Sequence, residues 1–461
     1  MDGLFVGRRV SKLCAVLFFL VICVVSNVLP TVSTSASTPA EDVVSETPKV
    51  LTLHYGTNRD HEFHRSFRSD SEWTLEYMTL GTWAVTVFLI YRSRRRKHRV
   101  TAVLAGVSLV AALFLSGTFI KALLDETRQV ADDQYGTELG PLSVGVCKVS
   151  IPPHHVSGQV ETTSIFEWEF VANRLEDIVI EKTSPHDVEE FEQSLAKALG
   201  KASRKDIFLF VHGFNTSFAD AADRTAQLAH DMGFQGVPAF YSWPSQAILT
   251  KYKTDERLVA QSIEPFRRYL RILIVDTKPA TIHVLAHSMG NQLLTKALAG
   301  WDLKEELGPG EELPEIRLIL AAPDIDAGHF CDEIADEIHI HADHVTLYTS
   351  PSDMALLASQ MEHHGKPRLG MWHFDDYAAF VRASPYLAED AKEPFPEVES
   401  IIYIAEDTIP KELGHGYYAH HPDVIVDLSQ LINEYRSAAE RTMPSEETVF
   451  GAERMRVWKL R

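Results

Sequence analysis

Residues 281–291, TIHVLAHSMGN, decide the fold of this chain of 461 residues. The apolar, β-branched first half predicts a buried strand, and the second half predicts the start of a helix. Ser288 therefore stands at a sharp strand-to-helix turn, with the small residues Ala286 and Gly290 two positions away on either side. Small residues there let the strand and the helix approach closely and leave the serine hydroxyl exposed. The amino end of the helix faces that hydroxyl, where it would stabilise a developing negative charge.

Strand-like and helix-like segments alternate on both sides of this turn. The predicted strands span residues 142–151, 166–171, 177–181, 207–211, 237–241, 281–286, 316–321, 344–349 and 400–405. The predicted helices span residues 186–199, 218–232, 255–275, 289–299, 353–361 and 423–438. Near-continuous apolar strands separated by helices predict an α/β fold, a mostly parallel sheet with helices on both faces. The early strands at residues 166 and 177 are expected to form an antiparallel edge.

Ligands of such open sheets bind at the carboxyl ends of the strands, so the residues that follow each strand are candidates for a site. HGFN, residues 212–215, follows the strand at 207–211. A serine nucleophile needs donors for the oxyanion of its tetrahedral intermediate. We expect the backbone N–H groups of Phe214 and Met289 to be those donors.

The acid and the base of such a site should follow the serine along the chain. Asp353 follows the strand at 344–349, and we prefer it as the acid; the alternative is Asp324, which follows the strand at 316–321. Both aspartates could instead cap helices. His415 lies between two glycines after the last strand, and we prefer it as the base. His420 and His421 are its competitors.

Together these motifs resemble a family of bacterial α/β hydrolases of unassigned function in the esterase/lipase superfamily. The resemblance covers roughly residues 50–59 and 135–435, and it implies an α/β-hydrolase sheet with Ser288 as the nucleophile. The common form of the serine turn has glycine where Ala286 stands. The motifs that carry it are HYGTNR at 54–59, YGT, GPLSVG, VSIP, His and Gly between 135 and 158, FVHGFN at 210–215, YSWPS at 241–245, AHSMGN at 286–291, APDID at 322–326, LYTS at 347–350 with the Asp and Ala that follow it, and GHGYY at 414–418.

Three apolar runs, at residues 13–29, 74–91 and 100–120, lie in the amino-terminal part of the chain. The first follows a basic start and precedes a Ser/Thr-rich stretch, which predicts an export signal that is cleaved near Ala36 or kept as an anchor. The other two are separated by six cations between Arg92 and Arg99, which predicts a transmembrane hairpin with a cytoplasmic tip.

Five segments follow from these patterns. We predict a signal peptide or signal anchor at 1–37, an extracytoplasmic linker with a first strand at 38–73, the transmembrane hairpin at 74–120, the catalytic domain at 135–438 and a charged tail at 439–461. The predicted location is a bacterial inner membrane, with the catalytic domain periplasmic or otherwise extracytoplasmic. The hairpin would then separate the TNR motif from the YGT motif and tether the domain to the bilayer.

The net charge of −20 argues against nucleic acid as a partner. The basic start contributes +2 and the link between the apolar runs contributes +6, so the rest of the chain carries −28. A surface that acidic repels phosphate backbones. The basic clusters instead adjoin apolar runs, and the partners that we expect are the membrane and a small-molecule or lipid ester.

Several other residues have competing interpretations. HIHADH at 339–344 would place His339 and His341 on one face of a strand, but no paired metal-binding motif accompanies it, so we predict no metal site. Trp243 and Tyr241 either line an acyl pocket or belong to the core. We expect His287 to be structural, with its ring directed away from Ser288. Cys147 and Cys331 either form one disulfide or are buried as small apolar residues.

The sequence therefore predicts a membrane-tethered serine hydrolase that cleaves carboxylic esters through an acyl-enzyme, with Ser288, His415 and Asp353 as its triad. No cofactor is expected. One alternative is a non-catalytic binding or scaffold protein of the cell envelope that keeps the hydrolase fold. Another is an acyltransferase or amidase that uses the same triad.

Overall fold

One β-sheet contains the eleven strands of the described residues. The computed structural model describes residues 47–61, 81–83, 85–89, 91–92, 106, 108–109, 112, 135–161, 175–248, 251–371, 400–404, 414–441, 445–450 and 453–460. The strands are β1 (Lys49–Arg59), β2 (Leu139–Ile151), β3 (Val179–His186), β4 (Asp206–Val211), β5 (Val237–Ser242), β6 (Thr281–His287), β7 (Glu315–Ala321), β8 (His344–Thr349), β9 (Ser400–Ile404), β10 (Ser445–Phe450) and β11 (Glu453–Leu460).

The helices connect these strands. They are α1 (Val188–Lys201), α2 (Phe218–Asp231), α3 (Tyr252–Gln261), α4 (Ile263–Arg271), α5 (Gly290–Leu298), α6 (Ala327–His329), α7 (Ala335–His339), α8 (Met354–Glu362), α9 (Tyr417–His420) and α10 (Pro422–Asn433). Side chains cap several amino ends: Ser217 and Asp220 form a capping box on α2, and Asp187 accepts a hydrogen bond from the first turn of α1. Such caps satisfy N–H groups that have no partner within the helix.

The sheet is parallel except at its two edges. Its strand order is β10-β11-β9-β8-β7-β6-β4-β5-β1-β2-β3 in the part of the chain that the structure describes. The strands from β11 to β1 in this order pair in parallel, and β2, β3 and β10 pair antiparallel. In the sheet, β5 lies on one side of β4 and β6 lies on the other. The chain runs from β4 to β5 in one direction and then crosses over β4 to β6, so the connections diverge between β4 and β6. That divergence opens a crevice at the strand ends, where such sheets bind ligands.

Two apolar layers cover the sheet, one on each face. Alternating residues of β4 serve both: Ile207, Leu209 and Val211 face one layer, and Phe208 and Phe210 face the other. Helices α1, α3, α4 and α5 contribute to the first layer, and α2, α8, α9 and α10 contribute to the second. The chain therefore has the predicted α/β architecture with helices on both faces.

The first strand joins the sheet across a long insertion. β1 pairs with β2 antiparallel and with β5 in parallel. Just beyond β1, the Asp60 N–H donates to the Glu138 carbonyl at 2.8 Å, and the Gly136 N–H donates to the Asp60 carbonyl at 3.0 Å. The chain thus leaves the sheet after residue 61 and returns at residue 135 at the same place. This arrangement explains how TNR and YGT can belong to one site although about seventy residues separate them.

Residues 1–41 and 63–131 belong to a second compact unit. Its described residues, which lie in the two runs of the predicted hairpin, are helical. The hydroxyls of Thr86 and Ser108, one from each run, are 2.7 Å apart, so the runs approach each other there. The first apolar run and most of the other two lie outside the described residues. None of the helices in the described ranges combines the length and the apolar character needed to cross a bilayer.

Two predictions differ from the structure in detail. The charged tail at 439–461 was wrong, because residues 445–450 and 453–460 form β10 and β11, and β11 extends the parallel sheet. Arg441, at the start of this segment, is buried and pairs with Asp427 of α10 at 2.8 Å. Residues 335–339 are helical, so His339 and His341 do not share a strand face. The strand predicted at 166–171 lies outside the described residues.

Candidate active site

Ser288 occupies a strained turn between β6 and α5. Its φ is +52°, a left-handed value that is costly for a residue with a Cβ. A Cβ on Gly213 would lie 2.8 Å from the Ser288 Cβ, and a Cβ on Gly290 would lie 2.5 Å from the His212 carbonyl oxygen. Both distances are too short for real atoms, so both positions require glycine. The turn after β6 is therefore pressed directly against the loop after β4.

Asn291 holds this turn in place. Its side-chain Nδ2 donates to the carbonyl oxygens of Ala286, Ser288 and Ala321 at 3.0–3.2 Å. The backbone adds two more bonds, from Ser288 N–H to the Ala321 carbonyl and from Asp324 N–H to the Ser288 carbonyl. The sequence alone indicates no role for Asn291, although the residue ends the quoted motif. A buried amide that satisfies three carbonyls offsets part of the cost of the left-handed serine.

The two expected oxyanion donors lie on the two sides of this contact. Phe214 follows Gly213 in the loop after β4, and Met289 follows Ser288 directly. Within the described ranges, neither backbone N–H donates a hydrogen bond to a protein acceptor. Met289 is also the N-cap of α5, so its N–H lies at the positive end of that helix. Both N–H groups therefore lack a protein acceptor in the part of the chain that the structure describes.

His415 and Asp353 are brought together from distant parts of the chain. The Nδ1 of His415 lies 2.6 Å from Oδ2 of Asp353, whose side chain is completely buried. The other carboxylate oxygen, Oδ1, accepts a hydrogen bond from the Leu356 N–H at 2.9 Å and so caps α8. Both interpretations of Asp353 thus hold at once: one oxygen caps a helix and the other orients an imidazole. The Nδ1–H of His415 donates to the carboxylate, which leaves Nε2 as the basic nitrogen.

Asp324, the alternative acid, is committed to other partners. Tyr252 donates to its Oδ2 at 2.5 Å, and Ser359 and the Nε of Arg368 each donate to its Oδ1 at 2.6 Å. The ion pair with Arg368 is buried on both sides. These bonds fasten α3, α8 and the chain after β7 to one another behind the serine turn. The geometry favours Asp353 as the acid.

His287 supports the loop that carries His415. Its Nε2–H donates to the His415 carbonyl oxygen at 3.2 Å, and its ring stacks on Tyr418, with centroids 4.3 Å apart. The ring centroids of His287 and His415 are 4.5 Å apart. Burial, with the His415 imidazole nearby, lowers the pKa of His287 well below its ordinary value, so the ring is neutral. This agrees with the structural role expected for His287.

The Ser288 hydroxyl itself makes no hydrogen bond to any residue in the described ranges. His415 lies beside the serine turn through its contacts with His287. In this structure it makes no hydrogen bond to the Ser288 hydroxyl. Such bonds often tighten only in the complex with substrate. Of the competing histidines, His420 donates from Nδ1 to the Gly158 carbonyl and His421 is the N-cap residue of α10.

The aromatic residues after β5 belong to the core. Trp243 and Tyr241 are fully buried, and they donate hydrogen bonds to the His212 carbonyl and to the Asn58 side chain respectively. His212 stacks on Trp243 with centroids 4.9 Å apart, and burial lowers its pKa to about 3, so it is neutral. Among the described residues, no cluster of three His, Cys, Asp or Glu side chains has the geometry to hold a metal ion.

Arg59 fixes the loops around the site, although the sequence indicates no role for it beyond its place in the TNR motif. Its buried guanidinium donates to Ser242 Oγ and to the carbonyl oxygens of Gly136, Ser245 and Thr216, at 2.8–3.1 Å. Thr216 lies two residues after Phe214, so the bond fixes the loop that carries Phe214. Its place as a charged residue at the end of a strand is the local signal that points to Arg59.

Comparisons with known proteins agree with this fold and motif set. A family model described as alpha/beta hydrolase of unknown function (DUF900) matches residues 187–435, more than half of the chain, and confirms the resemblance. The uncharacterized protein alr1448 of Nostoc sp. is 22% identical over 313 residues, which cover 56% of this chain and 82% of that protein. A solved structure, the 5-methylthioribose transporter solute binding protein of Thermotoga lettingae, covers 55% of this chain and 86% of its own with 10% identity and a TM-score of 0.16. A likeness that weak carries no argument.

Arg59→Lys should slow the reaction of Ser288 with a fluorophosphonate probe. A lysine ammonium cannot reach the acceptors that the planar guanidinium joins, so the loop that carries Phe214 loses its anchor. We expect a decrease of roughly 10²-fold, comparable to the loss of one oxyanion donor. The labelling rate is compared with that of Arg257→Lys, a matched change at an exposed arginine. An unchanged rate in folded Arg59→Lys would contradict this role.

Proposed function

Because the chain belongs to the family of alpha/beta hydrolases of unknown function, we propose that it is a serine hydrolase that cleaves carboxylic esters through an acyl-enzyme. The observation that carries the proposal is the 2.6 Å bond between His415 Nδ1 and Asp353 Oδ2, formed beside the left-handed turn at Ser288. Ser288 follows β6, Asp353 follows β8 and His415 follows β9, so each stands beyond the carboxyl end of a different parallel strand. A nucleophile, a base and an acid in this order along the chain are those that acyl transfer requires.

The proposed reaction uses groups of this chain alone. His415 Nε2 accepts the hydroxyl proton as Ser288 Oγ attacks the carbonyl carbon of the ester. The oxyanion of the tetrahedral intermediate accepts hydrogen bonds from the N–H groups of Phe214 and Met289. The intermediate collapses, the alcohol leaves with the proton from His415, and the serine stays acylated. Water then attacks the acyl-enzyme with His415 again as the base, which releases the carboxylic acid and restores Ser288.

Asp353 has two duties in this reaction. It keeps the Nδ1–H tautomer of His415, so that Nε2 faces the nucleophile, and it stabilises the imidazolium that forms during attack. Because its other oxygen caps α8, the carboxylate cannot rotate away from the imidazole without losing the cap. The helix thereby holds the acid in one orientation.

Two other functions remain candidates, a non-catalytic envelope scaffold and an acyltransferase or amidase. The left-handed serine, the paired imidazole and the two available N–H groups speak against the scaffold, because strain is retained where function needs it. The acyltransferase differs only in the acceptor of the acyl group. Adding an alcohol to the assay and measuring the new ester separates that activity from hydrolysis.

We also propose that the insertion between β1 and β2 tethers the catalytic domain to a bacterial inner membrane, with the domain on the extracytoplasmic side. The adjacent ends of the insertion, at Asp60 and Gly136, support this, because a hairpin can enter and leave there without disturbing the sheet. The contact between Thr86 and Ser108 and the six cations at the tip are consistent with a helical hairpin.

Ser288→Ala should abolish ester hydrolysis. Loss of a serine nucleophile lowers kcat by on the order of 10⁶-fold in enzymes of this type. The measurements are hydrolysis of short p-nitrophenyl esters and labelling by a fluorophosphonate. Ser203→Ala, at an exposed serine, is the control and keeps both. Equal activity in the Ser288 and Ser203 variants would refute the assignment.

Asp353→Asn and Asp324→Asn should separate the two candidate acids. Asparagine caps a helix nearly as well as aspartate, so Asp353→Asn keeps its stability, while kcat falls by about 10⁴-fold because the imidazole loses its carboxylate. Asp324→Asn removes the partner of buried Arg368, so it lowers the free energy of unfolding by roughly 3–5 kcal/mol. Its kcat at a temperature where it is folded should stay within about tenfold of wild type. Kinetics and urea unfolding measure the two effects, and the reverse pattern would make Asp324 the acid.

Replacing residues 62–134 by a short Gly/Ser linker should release the protein from the membrane. The ends to be joined are already neighbours in the sheet, so the catalytic domain should fold and keep its fluorophosphonate labelling. The full chain should stay in the pellet after alkaline carbonate extraction and dissolve in detergent. Because the first apolar run could be a second anchor, the comparison is made with residues 1–37 replaced by a cleavable export signal. Release of that full-length chain into the supernatant by carbonate would contradict the tether.

A further inference from the structure

A second cluster of charged side chains lies outside the proposed triad, in the loop that follows β2. Residues 152–161, here called the strap, contain the His and Gly of the VSIP…His…Gly motif, for which the proposed reaction has no use. His155 of the strap is buried between two carboxylates. Its Nδ1 is 2.8 Å from Glu161 Oε2, and its Nε2 is 2.8 Å from Asp231 Oδ1 at the end of α2. Two acceptors on the two ring nitrogens require both nitrogens to carry a proton.

The same carboxylates close the strap on itself. Glu161 Oε1 accepts the Val156 N–H, and Asp231 Oδ2 accepts the Gly158 N–H, each at 2.8 Å. Gln227 of α2 donates to Asp231 Oδ2 at 2.5 Å. The charged imidazole, its two carboxylates and the backbone around them form one connected network, in which each group depends on the others.

The closed strap presses on the short helix that follows His415. Gly158 has a φ of +82°, and a Cβ there would lie 2.6 Å from the His420 carbonyl oxygen in α9. The Gly158 carbonyl accepts a hydrogen bond from His420 Nδ1 at 2.6 Å. From the other side, Gln227 donates to the Ala419 carbonyl and Arg224 donates to His420 Nε2. Helix α9 begins two residues after His415, so its position sets that of the imidazole.

The charge on His155 is stable at neutral pH. The two carboxylates outweigh the effect of burial and raise the pKa of His155 to about 9. The pKa values of Glu161 and Asp231 are lowered, because the cation and the backbone N–H groups outweigh the burial of each carboxyl. Among the described residues, His230 also lies against His155, with its ring centroid 5.2 Å away. Burial, with Lys49 and His155 nearby, lowers the pKa of His230, so this ring is neutral.

We propose that protonated His155 is a positioning residue for His415: it keeps the strap closed on α9, and loss of its proton at alkaline pH releases α9 and lowers turnover. This proposal rests on the proposed esterase function for its kinetic consequence, but its structural part does not.

The direction of the pH effect follows from the three shifts. The stabilisation from His155 is complete below the ordinary pKa of 6.5 and is lost as the pH rises through about 9. The stabilisation from Glu161 and Asp231 is present above their ordinary pKa values, 4.5 and 3.8, and is lost only as the pH falls below them. The strap is therefore closed from mildly acidic pH to about pH 9.

The kinetic test is kcat against pH for the full chain with a p-nitrophenyl ester, corrected for uncatalysed hydrolysis. Wild type should lose activity above about pH 9. Glu161→Gln keeps the size of the side chain, removes one charge and leaves one acceptor oxygen for the two N–H groups of Val156 and His155, so its alkaline limb should move down by about one pH unit. His155→Gln should have a kcat lower by roughly 10- to 100-fold at pH 7, with KM little changed, since a base displaced by about 1 Å costs on the order of 10²-fold. His154→Gln, at the exposed neighbour, should match wild type.

A second measurement does not depend on catalysis. Hydrogen–deuterium exchange at pH 7 in residues 414–421 should be faster in His155→Gln than in wild type by about tenfold or more, and equal to wild type in His154→Gln. Equal exchange in all three proteins contradicts the proposal that His155 keeps the strap closed on α9, whatever the activity. Faster exchange with an unchanged kcat, or an alkaline limb that Glu161→Gln does not move, overturns the positioning role. If wild type hydrolyses no ester while exchange responds to His155→Gln, the strap holds and the esterase proposal fails. Should His155→Gln not fold, Glu161→Gln carries both measurements.

Discussion

The rest of the site depends on the contact between the turn after β6 and the loop after β4. Ser288 in its left-handed conformation touches Gly213, and Gly290 touches the carbonyl of His212, with no space for a Cβ on either glycine. Because β4 and β6 are neighbours at the point where the connections diverge, this contact places Ser288 against the loop that carries Phe214. Three carbonyl bonds from Asn291 keep the turn closed.

Buried charges provide the remaining order, and each one joins segments that are far apart in the chain. Asp353 links α8 to the loop of His415, and Arg59 links β1 to the loop of Phe214. His155 links the strap to the end of α2 beside α9. A buried charge is costly unless its hydrogen bonds are satisfied, so each network holds only in one arrangement of the chain. Buried charged side chains, which would destabilise a purely apolar core, thus specify the geometry of the loops.

Local patterns predicted much of the fold and part of the site. Apolar strands of five to seven residues and helices with clear spacing were found close to their observed bounds because each is defined by neighbours in the sequence. The hairpin β10–β11 was missed because its residues are charged and weakly periodic, and its pairing with β9 is a long-range contact. Tyr241 and Trp243 could not be assigned from sequence, since core and pocket aromatics have the same local signature.

By itself the sequence determined the class of sheet, the strained serine turn and the order of serine, acid and histidine, because backbone propensities and strand ends are local properties. Only the tertiary structure shows how the two candidate acids, Asp353 and Asp324, are paired. Both follow strands, and the difference lies in their partners: a histidine from near the end of the chain for one, and Arg368, Tyr252 and Ser359 for the other. The roles of Arg59 and His155 were hidden for the same reason. A charge has its function from what surrounds it after folding, and those surroundings come from residues far away in the sequence.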